Sequence, residues 1–361
     1  MNISPSENRN FDIIVVGSGF AGSLAAICLA RSGFHVCLVE KNSHPRFAIG
    51  ESSTPIADMI LRSLSREYDL PWLYPLSRYG SWRREYPKLT CGLKRGFSYF
   101  LHRNEEPFQC TANHDHELLV AASGNDEMSD TNWFRSDLDA FLVSQAAAYG
   151  VTFHEETGIR ECNRTVDGRW KIELHSGEMR TDATARFLID ATGSSRFSEQ
   201  FLGTENMADT FLTDSEACFT HLAGAEPWTN ILQTRPGVVM EDYPFQPDHS
   251  ALHHLIDEGW VWMLRFTNGL LSLGIVLDRN REVNQNRRPG EPRPQILDRY
   301  PSLNQILLSA VPAPEPGQWI DSGRLQRRLS HTYGNGWAAL NHTAGFVDPL
   351  HSTGIAHSLS G

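Results

Sequence analysis

Residues 11–40 read FDIIVVGSGFAGSLAAICLARSGFHVCLVE, and this stretch decides the fold. Residues 11–16 are a short apolar run rich in β-branched side chains, the pattern of a buried parallel strand, and Gly17 ends it. Residues 20–32 place Ala, Leu and Ile on one packing face and stop at Gly33, which predicts a helix. Residues 35–40 form a second strand, completing one βαβ unit. Within it, Gly17 allows the tight turn, Gly19 lets the backbone approach a pyrophosphate, and Gly22 lets the helix pack closely on the strand. Ser18, Phe20 and Ala21 fill out the phosphate-facing turn, where the helix N-terminus offers free N–H groups and a positive dipole end. Glu40 closes the second strand in register for ribose hydroxyls, with Lys41 beside it. These residues predict a Rossmann-like dinucleotide-binding domain.

The 361 residues hold one large domain or two ordinary ones, with 40% hydrophobic and 21% charged residues, a globular composition. A net charge of −11, from 32 basic and 43 acidic residues, argues against general affinity for nucleic acid or anionic membrane. The six cysteines include no CxxC pair, so neither a zinc ribbon nor a dithiol redox motif is indicated, and Cys28 and Cys37 read as small core residues. The polar N-terminus lacks a signal peptide pattern, and no run of 18 apolar residues suggests a membrane span. A cytoplasmic, reduced protein is expected.

Farther along, residues 54–66 read as a helix starting near Thr54-Pro55. Residues 70–95 are aromatic, proline-rich loops. Residues 136–149 form an amphipathic helix with Ser136 as its N-cap. Strands are expected at about 151–161, 169–175 and 184–190. From 210 to 280 longer antiparallel strands appear, with a hairpin of 259–266 and 270–277 around Asn268-Gly269. Residues 281–296 read as a polar loop, 302–310 as a short helix, and 337–361 as a strand, a glycine turn and a helix beginning near Gly354. The chain stops inside that helix, so a C-terminal helical segment is expected to be missing. His114-Asp115-His116 and His253-His254 raise a metal reading. Two ligands are too few for a structural zinc site, so these histidines are expected to be polar loop residues and no metal is assigned.

Later motifs name the dinucleotide. LIDATG at 188–193 and FRSDLDAFL at 134–142, the latter offering Arg135, resemble segments of flavoprotein hydroxylases that approach FAD. GESSTP at 50–55, LKRGFSYF at 93–100 and AGFVDPLHSTGI at 344–355 resemble, in the same order, segments of the flavin-dependent halogenases. The resemblance implies an α/β, glutathione-reductase-like FAD-binding domain with an inserted, mostly antiparallel β-sheet substrate domain. It divides the chain into 10–60, 96–200 and 325–361 for FAD, and 61–95 and 201–324 for substrate. It assigns Glu51, Ser52, Ser53, Arg135, Asp348, Gly354 and Ile355 to the cofactor, Thr353 and Gly354 to a halide, and Lys94 to catalysis. It implies that reduced FAD and oxygen convert chloride or bromide to hypohalous acid. That acid would travel to Lys94 and halogenate a small, electron-rich aromatic substrate, free or carrier-protein-bound. Lys94 suits the role because burial lowers a lysine pKa and frees its lone pair. Absence of a second glycine fingerprint agrees with a separate flavin reductase as partner.

Three departures from the family pattern bear on this. The Trp-x-Trp-x-Ile-Pro segment reads Trp260-Val261-Trp262-Met263-Leu264-Arg265, which leaves open an FAD-dependent monooxygenase or reductase. His351 stands where tryptophan halogenases carry a glutamate, which argues against a tryptophan substrate and offers a phenol partner or general base. Asn341-His342-Thr343 replaces Gly-Asp-Ala, which predicts weak FAD affinity. A catalytically inactive flavin-binding protein is the reading from another class.

Overall fold

A computed structural model describes residues 9–281 and 293–361. The chain begins with β1 (Asn10–Val16), α1 (Phe20–Arg31) and β2 (Val36–Val39), followed by α2 (Pro55–Glu67) and α3 (Tyr79–Glu85). β3 (Cys91–Lys94), β4 (Gly96–Leu101), β5 (Glu117–Ala121) and β6 (Asp130–Trp133) lead to α4 (Arg135–Ala148). β7 (Thr152–His154), β8 (Gly158–Arg164), β9 (Trp170–Ser176) and β10 (Met179–Asp190) complete the first half. The second half is dominated by β11 (Ser215–Ala223), β12 (Ala251–Ile256), β13 (Gly259–Arg265) and β14 (Leu271–Asp278).

Two large sheets organise these elements. In the first, Trp337–Ala339, β10, β1, β2 and β7 lie side by side and parallel. Its strands are apolar on both faces because both are covered. Val15 and Leu38 pack with Leu24, Leu138 and Leu142 of α1 and α4, while Ile14 and Cys37 pack on the opposite side with Trp170 and Leu188. The register Val16↔Asp190 and Val16↔Val39 brings three strand ends to the Gly17 turn. The second sheet has the order β11-β14-β13-β12-β4-β5, antiparallel except where β12 runs parallel to β4. The predicted hairpin is there, with Gly269 in the left-handed region at φ +83° between β13 and β14.

Several expectations change. Residues 61–86 do not pack with the second sheet, whereas Cys91 and Arg95 bond to its connections at Thr267 and His249. Leu61, Leu70, Leu73, Leu76 and Trp82 are buried against the first sheet's helical layer, because α2 and α3 have an apolar face that only this layer covers. Conversely, β4 and β5, in the segment 96–121, hydrogen-bond into the second sheet. The helix expected from Ser136 starts at Arg135, with Phe134 at the cap and no side-chain cap bond. His253 and His254 are core residues of β12, not loop residues: β12 is an interior strand, and its two faces turn into the apolar clusters on either side of the sheet. The polar loop predicted for 281–296 lies mostly outside the described residues. Cys28 and Cys37 are buried, as read. Among the described residues no helix is long and apolar enough to cross a membrane.

Candidate active site

The glycine turn follows from sterics. A Cβ on Gly17 would lie 2.6 Å from the Ala191 carbonyl oxygen, and φ at Gly17 is +101°. A Cβ on Gly22 would lie 2.0 Å from the Gly17 oxygen. Only glycine lets α1 start this close to β10. Gly19 caps α1 with no side-chain bond and no acid in the first turn, so its N-terminal N–H groups stay available to an anion. Glu40 accepts from the Ser18 N–H at 3.1 Å, the Ser18 hydroxyl at 3.0 Å and the Asn42 N–H at 3.0 Å. Burial acts to raise its carboxyl, but Arg46 at 3.1 Å and these donors outweigh it and hold the group below the usual range. Lys41 is exposed beside it.

Arg135 links this turn to the Gly-Glu-Ser segment. Its guanidinium forms a bidentate pair with Asp139 at 2.9 and 2.7 Å, and lies over the Phe20 ring at 4.6 Å. It also donates to the carbonyls of Ile49 at 2.7 Å and Gly50 at 3.2 Å. The segment is then pinned to β6: Trp133 N–H donates to the Glu51 carbonyl at 2.5 Å and Ser53 N–H to the Thr131 carbonyl at 3.1 Å. The Ser53 carbonyl in turn accepts from the Lys94 ammonium. One polar path thus joins the glycine turn to Lys94.

Lys94 is fully buried at the end of β3, with its Nζ 4.3 Å from the centre of the Phe97 ring. Burial lowers its pKa to about 8, against the opposing pull of Asp130 and Asp58. Asp130 lies directly across from Lys94 in the β3–β6 pair, so their side chains share a face. Asp58 and Asp130 are close enough to share a proton; burial, then the neighbouring Asp130 charge, push Asp58 up to about 9, and burial raises Asp130 too.

Phe97 joins a wall on one face of the second sheet made of Trp260, Trp262, Leu264 and Phe219, with Leu350 packed on it. Alternation explains the sequence departure. Trp260, Trp262 and Leu264 share this face, whereas Val261 and Met263 enter the opposite cluster. Arg265 follows the second set: it pairs with Asp248 at 2.6 Å and donates to the Ala225 and Glu226 carbonyls at 3.1 and 2.6 Å. Its role is to brace the buried Asp248, which caps the helix at Trp228. Of the aromatic stretch 68–100, Trp72, Trp82, Tyr68, Tyr79 and Tyr86 belong to the first sheet's core instead of a substrate wall.

The last segment meets both halves. Ile355 is buried in the first core, and Leu350 touches the tryptophan wall. Ser352 adopts φ +53° and starts the helix Thr353–Leu359. Asp348 accepts from the Leu350 N–H at 2.8 Å, and burial raises its carboxyl. His351 and Thr353 are exposed. His342 sits between Gly354 and Gly193, 3.7 and 3.8 Å from the positions their Cβ atoms would take. Its ring and carbonyl hold Arg327, and burial, then Arg327, lower its pKa to about 3. Thr343 accepts from the Gly193 N–H at 2.9 Å.

Sequence reasoning missed Arg46, His221 and the Asp58–Asp130 pair, and it read His253 as a loop residue. His221 of β11 pairs with Glu51 at 2.7 Å, and His253 stacks on Tyr99 with ring centres 4.9 Å apart. Nothing local in the sequence marks these residues, because their partners are brought to them by packing.

A flavin dinucleotide fits these residues. Buried polar atoms with no partner lie beside Glu40 (Arg46 Nε) and along the Gly-Glu-Ser segment and its β6 neighbour (Glu51 Oε2, Ser52 Oγ, Thr54 Oγ1 and both amide atoms of Asn132). Orphaned groups of this kind point to a polar ligand.

A parallel sheet with this turn, joined to an antiparallel sheet across a buried polar seam, defines a dinucleotide-dependent oxidoreductase. The model of the family described as "FAD dependent oxidoreductase" matches residues 12–228, and the chain belongs to that family. It is 28% identical to the monodechloroaminopyrrolnitrin halogenase PrnC of Pseudomonas fluorescens, covering 98% of this chain and 60% of that protein. It is 28% identical to the tetracycline 7-halogenase of Kitasatospora aureofaciens, covering 97% of this chain and 62% of that protein. The crystal structure of halogenase PltM in complex with phloroglucinol and FAD superposes with a TM-score of 0.84 at 28% identity, over 97% of this chain and 67% of that one. The chain thus spans about 60% of the length of the curated relatives it matches.

Proposed function

We propose that this chain is an FAD-dependent halogenase for a phenolic or similarly electron-rich aromatic substrate. The observation that carries the reading is a fully buried lysine, Lys94, set between the Gly-Glu-Ser segment and a wall of Phe97, Trp260 and Trp262. An ordinary lysine is solvated; one held here with its pKa lowered to about 8 serves chemistry. When bound, reduced FAD would supply two electrons to oxygen, which takes the other two from a halide and leaves hypohalous acid and water.

This chain's residues then act as follows. Gly17–Gly22 and the α1 N-terminus hold the pyrophosphate, and Glu40 takes the ribose. Arg135 fixes the Gly-Glu-Ser backbone through the Ile49 and Gly50 carbonyls. Asp348, Thr353, Gly354 and Ile355 close the flavin side, with the backbone of Thr353 and Gly354 at the halide. Lys94 receives hypohalous acid, the Ser53 carbonyl and the Asp58–Asp130 pair set its direction and charge, and the aromatic wall keeps water away. Exposed His351 would accept a phenol proton. The relative named 1H-pyrrole-2-carbonyl-[peptidyl-carrier protein] brominase makes a carrier-bound substrate a reasonable form to test. A separate flavin reductase is the expected electron source, and six free cysteines fit a reducing cytoplasm.

The test supplies FAD, a flavin reductase, NADH, oxygen and bromide, with an electron-rich phenol as trap. Brominated phenol supports the reading. Hydroxylated phenol would make the chain a monooxygenase, and peroxide alone would leave it an uncoupled oxidase.

A further inference from the structure

The histidine-rich loop between β4 and β5 gains a third donor type in three dimensions. Cys110 Sγ donates to Glu117 Oε1 at 3.3 Å, and His114 Nδ1 meets the same oxygen at 2.5 Å. The sulfur, imidazole and carboxylate atoms all lie within 4.8 Å of one another. His116 is not part of the cluster, because its ring is engaged by the Gln109 carbonyl at 3.0 Å.

We propose that Cys110, His114 and Glu117 bind one zinc-class divalent cation. Two donors aimed at one carboxylate oxygen mark where a cation would replace their protons. Zinc bonds of about 2.0–2.3 Å place tetrahedral ligands roughly 3.3–3.8 Å apart, so the cluster needs shifts of about 1 Å or less. Thiolate and carboxylate together neutralise a dication, and a mixed S, N and O set selects zinc-like metals over calcium or magnesium. Tyr243 donates to Glu117 Oε2 at 2.8 Å and orients the carboxylate from behind. The Glu117 side chain is 2% exposed but that of His114 is 47% exposed, which leaves an entry path and room for a water as fourth ligand.

Binding expels the thiol proton, and a neutral His114 moves its proton to Nε2.

The experiment titrates chelator-treated full chain with cobalt(II) and zinc. The expected result is one metal per chain and a thiolate-to-cobalt charge-transfer band. Cys110→Ser should remove the band, and His114→Ala, at an exposed position, should weaken binding at least tenfold without changing the circular dichroism. No band, a band that survives Cys110→Ser, or parent-like affinity in either variant would overturn the site. Flavin reduction and halogenation play no part in this readout.

Discussion

Replacing Lys94 with Met should separate stability from activity, in a way that depends on pH. Lys94 is fully buried, and its pKa falls from 10.5 to about 8. A folded-state pKa below the unfolded value means that the unfolded chain binds more protons between those pH values. Stability therefore rises with pH across that window. Linkage gives a folding penalty of about 3 kcal/mol at pH 7 that shrinks to about 1 kcal/mol at pH 10. Methionine carries no such penalty and fills most of the volume, but it leaves the Ser53 carbonyl and Asp130 without their partner, a cost of about 1–3 kcal/mol. The variant should thus be about as stable as the parent at pH 7. The parent should gain about 2 kcal/mol on the variant between pH 7 and 10. Asp58, Asp130 and His253 feel the Lys94 charge and shift with it, whereas the remaining titrating groups are common to both proteins and cancel in the comparison. Urea unfolding at four or five pH values measures this directly. A variant that loses 3 kcal/mol or more at pH 7, with a difference independent of pH, would refute the reasoning and make Lys94 a structural cation.

Halogenation should also follow Lys94 titration: a neutral amine is the competent form, so kcat/KM at saturating flavin should rise to a plateau above about pH 8, and a fall through that range would make the ammonium the active form. Arg135→Lys keeps the charge but loses the bidentate geometry at Asp139 and the carbonyl bonds to Ile49 and Gly50, so FAD affinity should drop at least tenfold by flavin fluorescence titration. Arg265→Leu unpairs the buried Asp248 and should cost about 2–3 kcal/mol, while the ratio of halogenated to hydroxylated product stays unchanged. Gly22→Ala drives a Cβ to 2.0 Å from the Gly17 carbonyl oxygen and should abolish FAD binding.

The first βαβ unit was legible because each of its rules is local: strand period, glycine at tight turns, and an acid at the next strand end. The same holds for the hairpin at Asn268-Gly269 and for the start of α2 at Pro55. The division between the two sheets was less legible. β4 joins β12 across more than 150 residues, and no local pattern in 96–101 says which sheet it enters. The same limit hid Glu51–His221 and Cys110–Glu117, whose partners are chosen by packing. Arg265 looked like a lost family residue in one dimension. Strand alternation turns it to the far face, where Asp248 needs it.

The most direct measurement is a single turnover of FAD-loaded, photoreduced protein mixed with oxygen, bromide and a phenol, comparing the parent with Lys94→Met. The account predicts brominated phenol from the parent, none from the variant, and the same rate of flavin reoxidation in both. Brominated product from the variant, or a hydroxylated phenol from the parent, would contradict it.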